Sequence, residues 1–247
     1  MTEAQQGSPE PPEVPRRVPW GVPEALALLA CGLALQTVAA ILVGAGEDDL
    51  AGQLAAATAA NALLLALVWG LVRHWSGGVP VGRLLGFRRA GWGRMLRGWR
   101  VLAAGALAYV GIALAVGVAL YAMGTDWEQV PAQPLVRMIG GAESPRLLAF
   151  ACVVAVLVAP VAEEVVFRSL LYLPLRARLG VIPAALIISA AFAAVHFYPW
   201  GVANLVVLSL TFVALFERTG TLWAPIAAHA AYNGLIIVVI RGLGLPR

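Results

Sequence analysis

Long apolar runs separated by short polar stretches dominate this chain. Seven runs approach or reach the about 20 residues a helix needs to cross a bilayer. They fall roughly at 24–44, 54–72, 101–123, 147–173, 182–197, 202–216 and 222–240. The fifth and sixth are short, and Tyr198-Pro199-Trp200-Gly201 makes a tight aromatic turn between them. The runs are continuous rather than alternating, which excludes a β-barrel. In lipid the backbone must then satisfy its own polar groups within helices. The pattern predicts an all-α fold, a polytopic membrane helical bundle of about seven transmembrane helices. Val43-Gly44-Ala45 resembles a signal cleavage site, but the run before it is too long for a signal peptide and long enough to span.

Composition agrees with that reading. Only 12% of the 247 residues are charged, about half the share of a soluble domain. All seventeen basic residues are arginine, which points to a GC-rich bacterial genome and a bacterial plasma membrane. The net charge of +4 is no nucleic-acid signal, because the arginines cluster beside the spans. Residues 73–100 hold seven arginines and no acid, so they read as a basic cytoplasmic loop, and the N-terminus with Arg16 and Arg17 lies on the same side. The expected organisation is a disordered cytoplasmic tail over 1–20, three N-terminal spans within 21–125, and a second transmembrane unit over 146–240. Cys31 and Cys152 sit in apolar runs and read as small buried hydrophobes.

The few charges inside the spans change the picture. Glu163 and Glu164 are the only acids well inside any run, and two of the three histidines, His196 and His229, also lie inside runs. Positions i and i+4 share a helix face. The fourth run has Glu164 and Arg168, the fifth Phe192 and His196, the seventh His229 and Asn233. Three helices that each offer a polar group at depth imply one shared polar cavity, since scattering these groups over lipid is too costly.

At these residues the chain resembles a known family. EEVVFR, from Glu163 to Arg168, fits Glu-Glu-x-x-x-Arg; FAAVH, from Phe192 to His196, fits Phe-x-x-x-His; HAAYN, from His229 to Asn233, fits His-x-x-x-Asn. Their order, spacing and the flanking RTGTLWAPIAAH resemble the CPBP family, the CAAX-protease and bacteriocin-processing intramembrane peptidases, which include type II CAAX prenyl endopeptidases. The resemblance covers about 147–235. It implies an intramembrane endopeptidase that cleaves a membrane-associated protein or peptide without a covalent intermediate. Glu163 would activate water with help from His196, His229 and Asn233 would stabilise the oxyanion, and Arg168 would balance the carboxylates. Glu164 would be a second polar contact or the partner of Arg168.

The residue inventory sets other intramembrane proteases aside. His-Glu-x-x-His is absent, no span contains Asp, and Ser189 lacks a rhomboid-like context and reads as helix packing. Metal stays open. Glu163, His196 and His229 are the right types for a zinc site with an open fourth position, yet no single helix supplies two ligands, and metal-free water activation is favoured. Two rivals remain: a proton- or ion-coupled transporter, and a catalytically silent scaffold or immunity protein. The expected partners are membrane lipid and a membrane-associated substrate, with no nucleic acid.

Overall fold

The structure is a computed structural model that describes residues 14, 17–44, 49–125, 130, 134–142 and 144–243. Among these residues it is helical without strands. We number the helices in chain order: α1 Val22–Val43, α2 Leu50–Trp75, α3 Val81–Leu84, α4 Trp92–Ala122 and α5 Pro134–Gly140. The helix Pro145–Leu179 is α6. It is followed by α7 Val181–Ala194, α8 Val202–Thr219 and α9 Trp223–Leu243. Six of them, α1, α2, α4, α6, α8 (with the preceding turn from Pro199) and α9, are long and apolar enough to cross a membrane. The chain is an integral multi-pass membrane protein. α7, with 14 residues, spans only about 21 Å at about 1.5 Å per residue, short of a bilayer core of about 30 Å.

The boundaries differ from the sequence pattern where polar residues sit on helical turns. α4 starts at Trp92, so Arg94, Arg97 and Arg100 lie on its first turns rather than in a loop, and Arg73 lies in the last turn of α2. Most of the tail expected over 1–20 falls outside the described residues. Within it, Val14 and Trp20 are buried in the main core.

α6 forms the axis of the site. Two stretches of it are π-helical, Val154–Val158 and Val165–Tyr172. A π-turn bonds N–H to the carbonyl five residues back and often marks a functional site. The amide of Ala159 bonds the Val154 carbonyl in this register. The next such bond would join Pro160 to Ala155, but proline has no N–H. A bare carbonyl in a membrane interior costs several kcal/mol. The Asn233 amide from α9 fills the gap, donating Nδ2–H to the Ala155 carbonyl at 2.8 Å. Pro174 similarly withholds the amide that an α-register would give to Leu170, and the Trp20 indole donates to that carbonyl at 3.1 Å.

This pairing makes a prediction. Asn233→Ala should lower stability by about 1–3 kcal/mol, the usual penalty for an orphaned buried acceptor. Adding Pro160→Ala should restore an N–H beside Ala155 and recover most of that loss. Thermal unfolding in detergent of both single variants and the double variant reads this coupling, and strictly additive effects would contradict it.

Around this axis, α1 packs on α2, α2 on the 159–164 stretch of α6, and α7 on both α6 and α8. Gly180, at φ 83°, makes the left-handed turn that sends α7 back against α6. α4 lies along α8, where Gly105 lets the helices approach: a Cβ there would collide with Thr211. The outer face of α4 is apolar and exposed, as a lipid-facing helix requires.

Candidate active site

Glu163, Glu164, Arg168, His196 and His229 lie side by side in the structure. Glu164 and Arg168 form an ion pair at 3.0 Å, and both side chains are fully buried. The Arg168 guanidinium lies between the rings of Phe192 and Phe212, at 5.1 and 5.2 Å from their centroids. Its Nη2 donates to the Ser209 carbonyl at 3.1 Å and to the Ser209 hydroxyl at 3.0 Å. A buried charge persists only when paired and hydrogen-bonded, and this arginine is both. Glu164 is similarly committed: Oε2 faces Arg168 and Oε1 lies 2.9 Å from His229 Nδ1.

Glu163 is placed differently. Its side chain is 30% exposed, although Oε2 itself is buried and makes no hydrogen bond. That oxygen lies 3.9 Å from His196 Nε2 and 3.9 Å from His229 Nε2. Span lengths alone put His196 and His229 near opposite ends of their helices, yet α7 stops at Ala194 and His196 lies in the turn beyond it. The next residue, Phe197, has φ 48°, unusual for a bulky side chain and typical of strained functional turns.

The ring partners fix the tautomers. His196 Nδ1 is 2.6 Å from the Phe192 carbonyl, which can only accept, so Nδ1 carries the hydrogen. His229 Nδ1 faces the Glu164 carboxylate and donates to it. In its neutral form each imidazole then turns a lone pair at Nε2 toward Glu163 Oε2. His229 is held flat against Phe212, with ring centroids 4.9 Å apart, and His196 lies 4.4 Å from Phe192. The phenylalanine of the Phe-x-x-x-His motif thus carries both a histidine and the arginine.

Glu163 and His196 line a cavity of about 400 Å³. Its walls come from α1, α2, α5, α6 and the turn after α7. Asn233 does not line it; its amide is held on Ala155. Ser209 and Phe212 escaped sequence reasoning. The signal was a serine within the apolar run of α8, but nothing in the sequence tied it to Arg168. Ser189 is fully buried in α7, outside the cavity lining.

Glu163, His196 and His229 present the donor types of a zinc site. Ligand atoms about 2.0–2.2 Å from a tetrahedral zinc lie about 3.4 Å apart. Both imidazole nitrogens lie farther than that from Glu163 Oε2, at 3.9 Å. Among the described residues no group of three or more His, Cys, Asp or Glu side chains is arranged to hold a metal ion. As placed, these side chains do not fit one.

Comparison with known proteins agrees with the motifs. The family "Type II CAAX prenyl endopeptidase Rce1-like" matches residues 145–235. The "Putative membrane peptidase YdiL" of Bacillus subtilis is 30% identical over 87 residues, which is 35% of this chain and 36% of that protein's length. No solved structure matches. The matched segment holds α6 through most of α9, with every motif residue. Residues 145–235 are therefore similar to the Rce1-like type II CAAX prenyl endopeptidase family.

Proposed function

We propose that this protein is an intramembrane endopeptidase in which Glu163 activates water for attack on a peptide bond of a membrane-associated protein or peptide. One observation carries this reading: a buried carboxylate oxygen, free of hydrogen bonds, beside two imidazole lone pairs and in the wall of a cavity. A carboxylate oxygen with an imidazole nitrogen 3.9 Å away on either helix leaves room for a water between them. In the proposed step Glu163 takes one proton from water and the remaining hydroxide oxygen attacks the substrate carbonyl carbon. One of the two imidazoles, His196 or His229, accepts the water's other hydrogen and orients it. Glu163 then returns its proton to the leaving nitrogen as the C–N bond breaks, leaving a carboxylic acid, which keeps the water's other hydrogen, and an amine. Glu164 and Arg168 act through His229, holding its tautomer and ring orientation. Asn233 anchors α9 to the π-helical turn, and its second N–H remains for the oxyanion role that the family resemblance implies.

The N-terminal helices, 21–125, would form the cavity's other wall, with their arginine-rich ends on the cytoplasmic side of a bacterial plasma membrane. Membranes from cells carrying wild type or Glu163→Gln, compared by terminal-peptide mass spectrometry, test the function. Fragments present with wild type and uncut with the variant are expected. Identical peptide sets would refute the proposal.

Water activation by Glu163 alone also predicts insensitivity to chelators. EDTA or 1,10-phenanthroline should leave hydrolysis by the purified protein within about twofold. Loss restored by stoichiometric zinc would instead make Glu163, His196 and His229 ligands, drawn together by several tenths of an ångström.

A further inference from the structure

The cavity at Glu163 is far larger than one water needs. Its volume is about 400 Å³, whereas a water takes up about 30 Å³. This is the size of a pocket for a small ligand, so a short stretch of peptide around the cut bond fits inside. The wall is largely apolar, with Leu29 and Leu33 from α1, Leu64 from α2, and Val166 and Phe167 from α6. Among the described residues that line it, Glu163 is the one acid and Arg137, on α5, the one arginine.

α5 holds Arg137 at this wall. Val136 and Ile139 pack into the cluster formed with Leu54, Ala155 and Ile237, and Ile139 is fully buried. Arg137 is two positions from Ile139 and so points away from that anchor. Its side chain is exposed and makes no hydrogen bond or ion pair with a described residue. A guanidinium presents its N–H donors as a rigid fork that matches a carboxylate. Such a charge-assisted pair is stronger beside apolar walls than in open water. A peptide backbone brings no charge to answer Arg137, whereas a carboxylate on the substrate does.

We propose that Arg137 is a specificity residue that binds a carboxylate of the substrate, from an acidic side chain or a free C-terminus, while apolar residues of the same peptide fill the wall that Arg137 and Glu163 share. This rests on the peptidase reading above and names the substrate class of that site: apolar peptides with a carboxylate close to the bond that is cut. Gln36 from α1 lines the same cavity and adds an amide donor. The inference gives a working part to α5, which lies outside the 145–235 segment that matches the family.

The test uses the full chain in detergent and quenched fluorescent peptides built on an apolar sequence selected from a random library for cleavage by wild type. One arm places Glu or Gln at each position beside the cut. The other compares a free C-terminus with a C-terminal amide. Members of a pair differ by one charge and little in size, so the ratio of their kcat/KM values reads the carboxylate. That ratio does not depend on the fraction of each variant that folds. Wild type should prefer the carboxylate member in at least one arm by about tenfold or more, the low end for a hydrogen bond to a charged group. The arm that responds shows whether a side chain or the terminus is read. Arg137→Gln should bring the ratio to within about twofold of unity, because the fork that holds the carboxylate is gone. Arg137→Glu should turn the preference toward a lysine at the same position. Arg146→Gln removes another exposed arginine, at the start of α6 and outside the cavity lining, and should keep the wild-type ratio. Equal cleavage of both members by wild type overturns the inference and leaves the peptidase reading intact. So does a preference that survives Arg137→Gln, or one that Arg146→Gln removes equally, since the carboxylate then answers to another group or to the charge of the whole surface. Full activity of Glu163→Gln, or no peptide cleaved by wild type, overturns the parent reading and this inference with it.

Discussion

Glu163→Gln is expected to lower peptide hydrolysis by about 10²–10⁴-fold, the usual contribution of a positioned general base. The substitution keeps the side chain's size and removes only its basicity. Glu163 Oε2 makes no hydrogen bond, and Glu163 is not the carboxylate that pairs with Arg168. Folding should therefore hardly change, and the melting temperature in detergent should stay within a few degrees of wild type. The same change at Glu164 is different. Glu164→Gln removes the charge that faces both Arg168 and His229, so it should cost stability as well as turnover. Kinetics and melting measured on the two variants separate the roles of these adjacent acids. Equal behaviour of the two would contradict the assignment of base and partner.

Arg168→Met should be among the most destabilising single substitutions in the chain. It strands the Glu164 carboxylate in a fully buried position with only His229 beside it. Breaking a buried pair from one side costs about 3–5 kcal/mol, because the surviving charge is uncompensated. It also removes the cation held between Phe192 and Phe212. The double variant Glu164→Gln with Arg168→Met should regain much of that stability, since neither charge is then left alone. It should not regain activity, because His229 loses the carboxylate that fixes its tautomer. Thermal unfolding and expression yield of the two single variants and the double variant read this cycle. A double variant no more stable than Arg168→Met would mean that the guanidinium matters through packing alone.

Much of the architecture was legible because lipid simplifies the problem. Continuous apolar runs can only be helices, and their lengths located every long span. The grouping of the candidate site was legible for a related reason: a carboxylate, an arginine or a histidine in such a run is costly enough to need a partner. Cost alone groups Glu163, Glu164, Arg168, His196 and His229, and the structure places them in contact. The missing parts depend on register and on contacts between distant segments. The π-helical stretches of α6 follow from packing and from Pro160, and an i,i+4 count does not reveal them. Asn233 sits one turn beyond His229 and reads as a site residue, but its amide goes to the carbonyl that Pro160 leaves bare. Ser209 and Phe212 become partners of Arg168 only once α8 lies against α6.

The central claim is that water activated at Glu163 cuts a peptide bond, and isotope labelling tests it most directly. The purified protein is incubated with its cleaved peptide in H₂¹⁸O under single-turnover conditions, and product and enzyme masses are read together. The account predicts two new termini per cut, one ¹⁸O in the new carboxylate, an enzyme of unchanged mass throughout, and none of this with Glu163→Gln. A peptide left intact by wild type, a transient covalent adduct on the enzyme, or undiminished ¹⁸O incorporation by Glu163→Gln would contradict it.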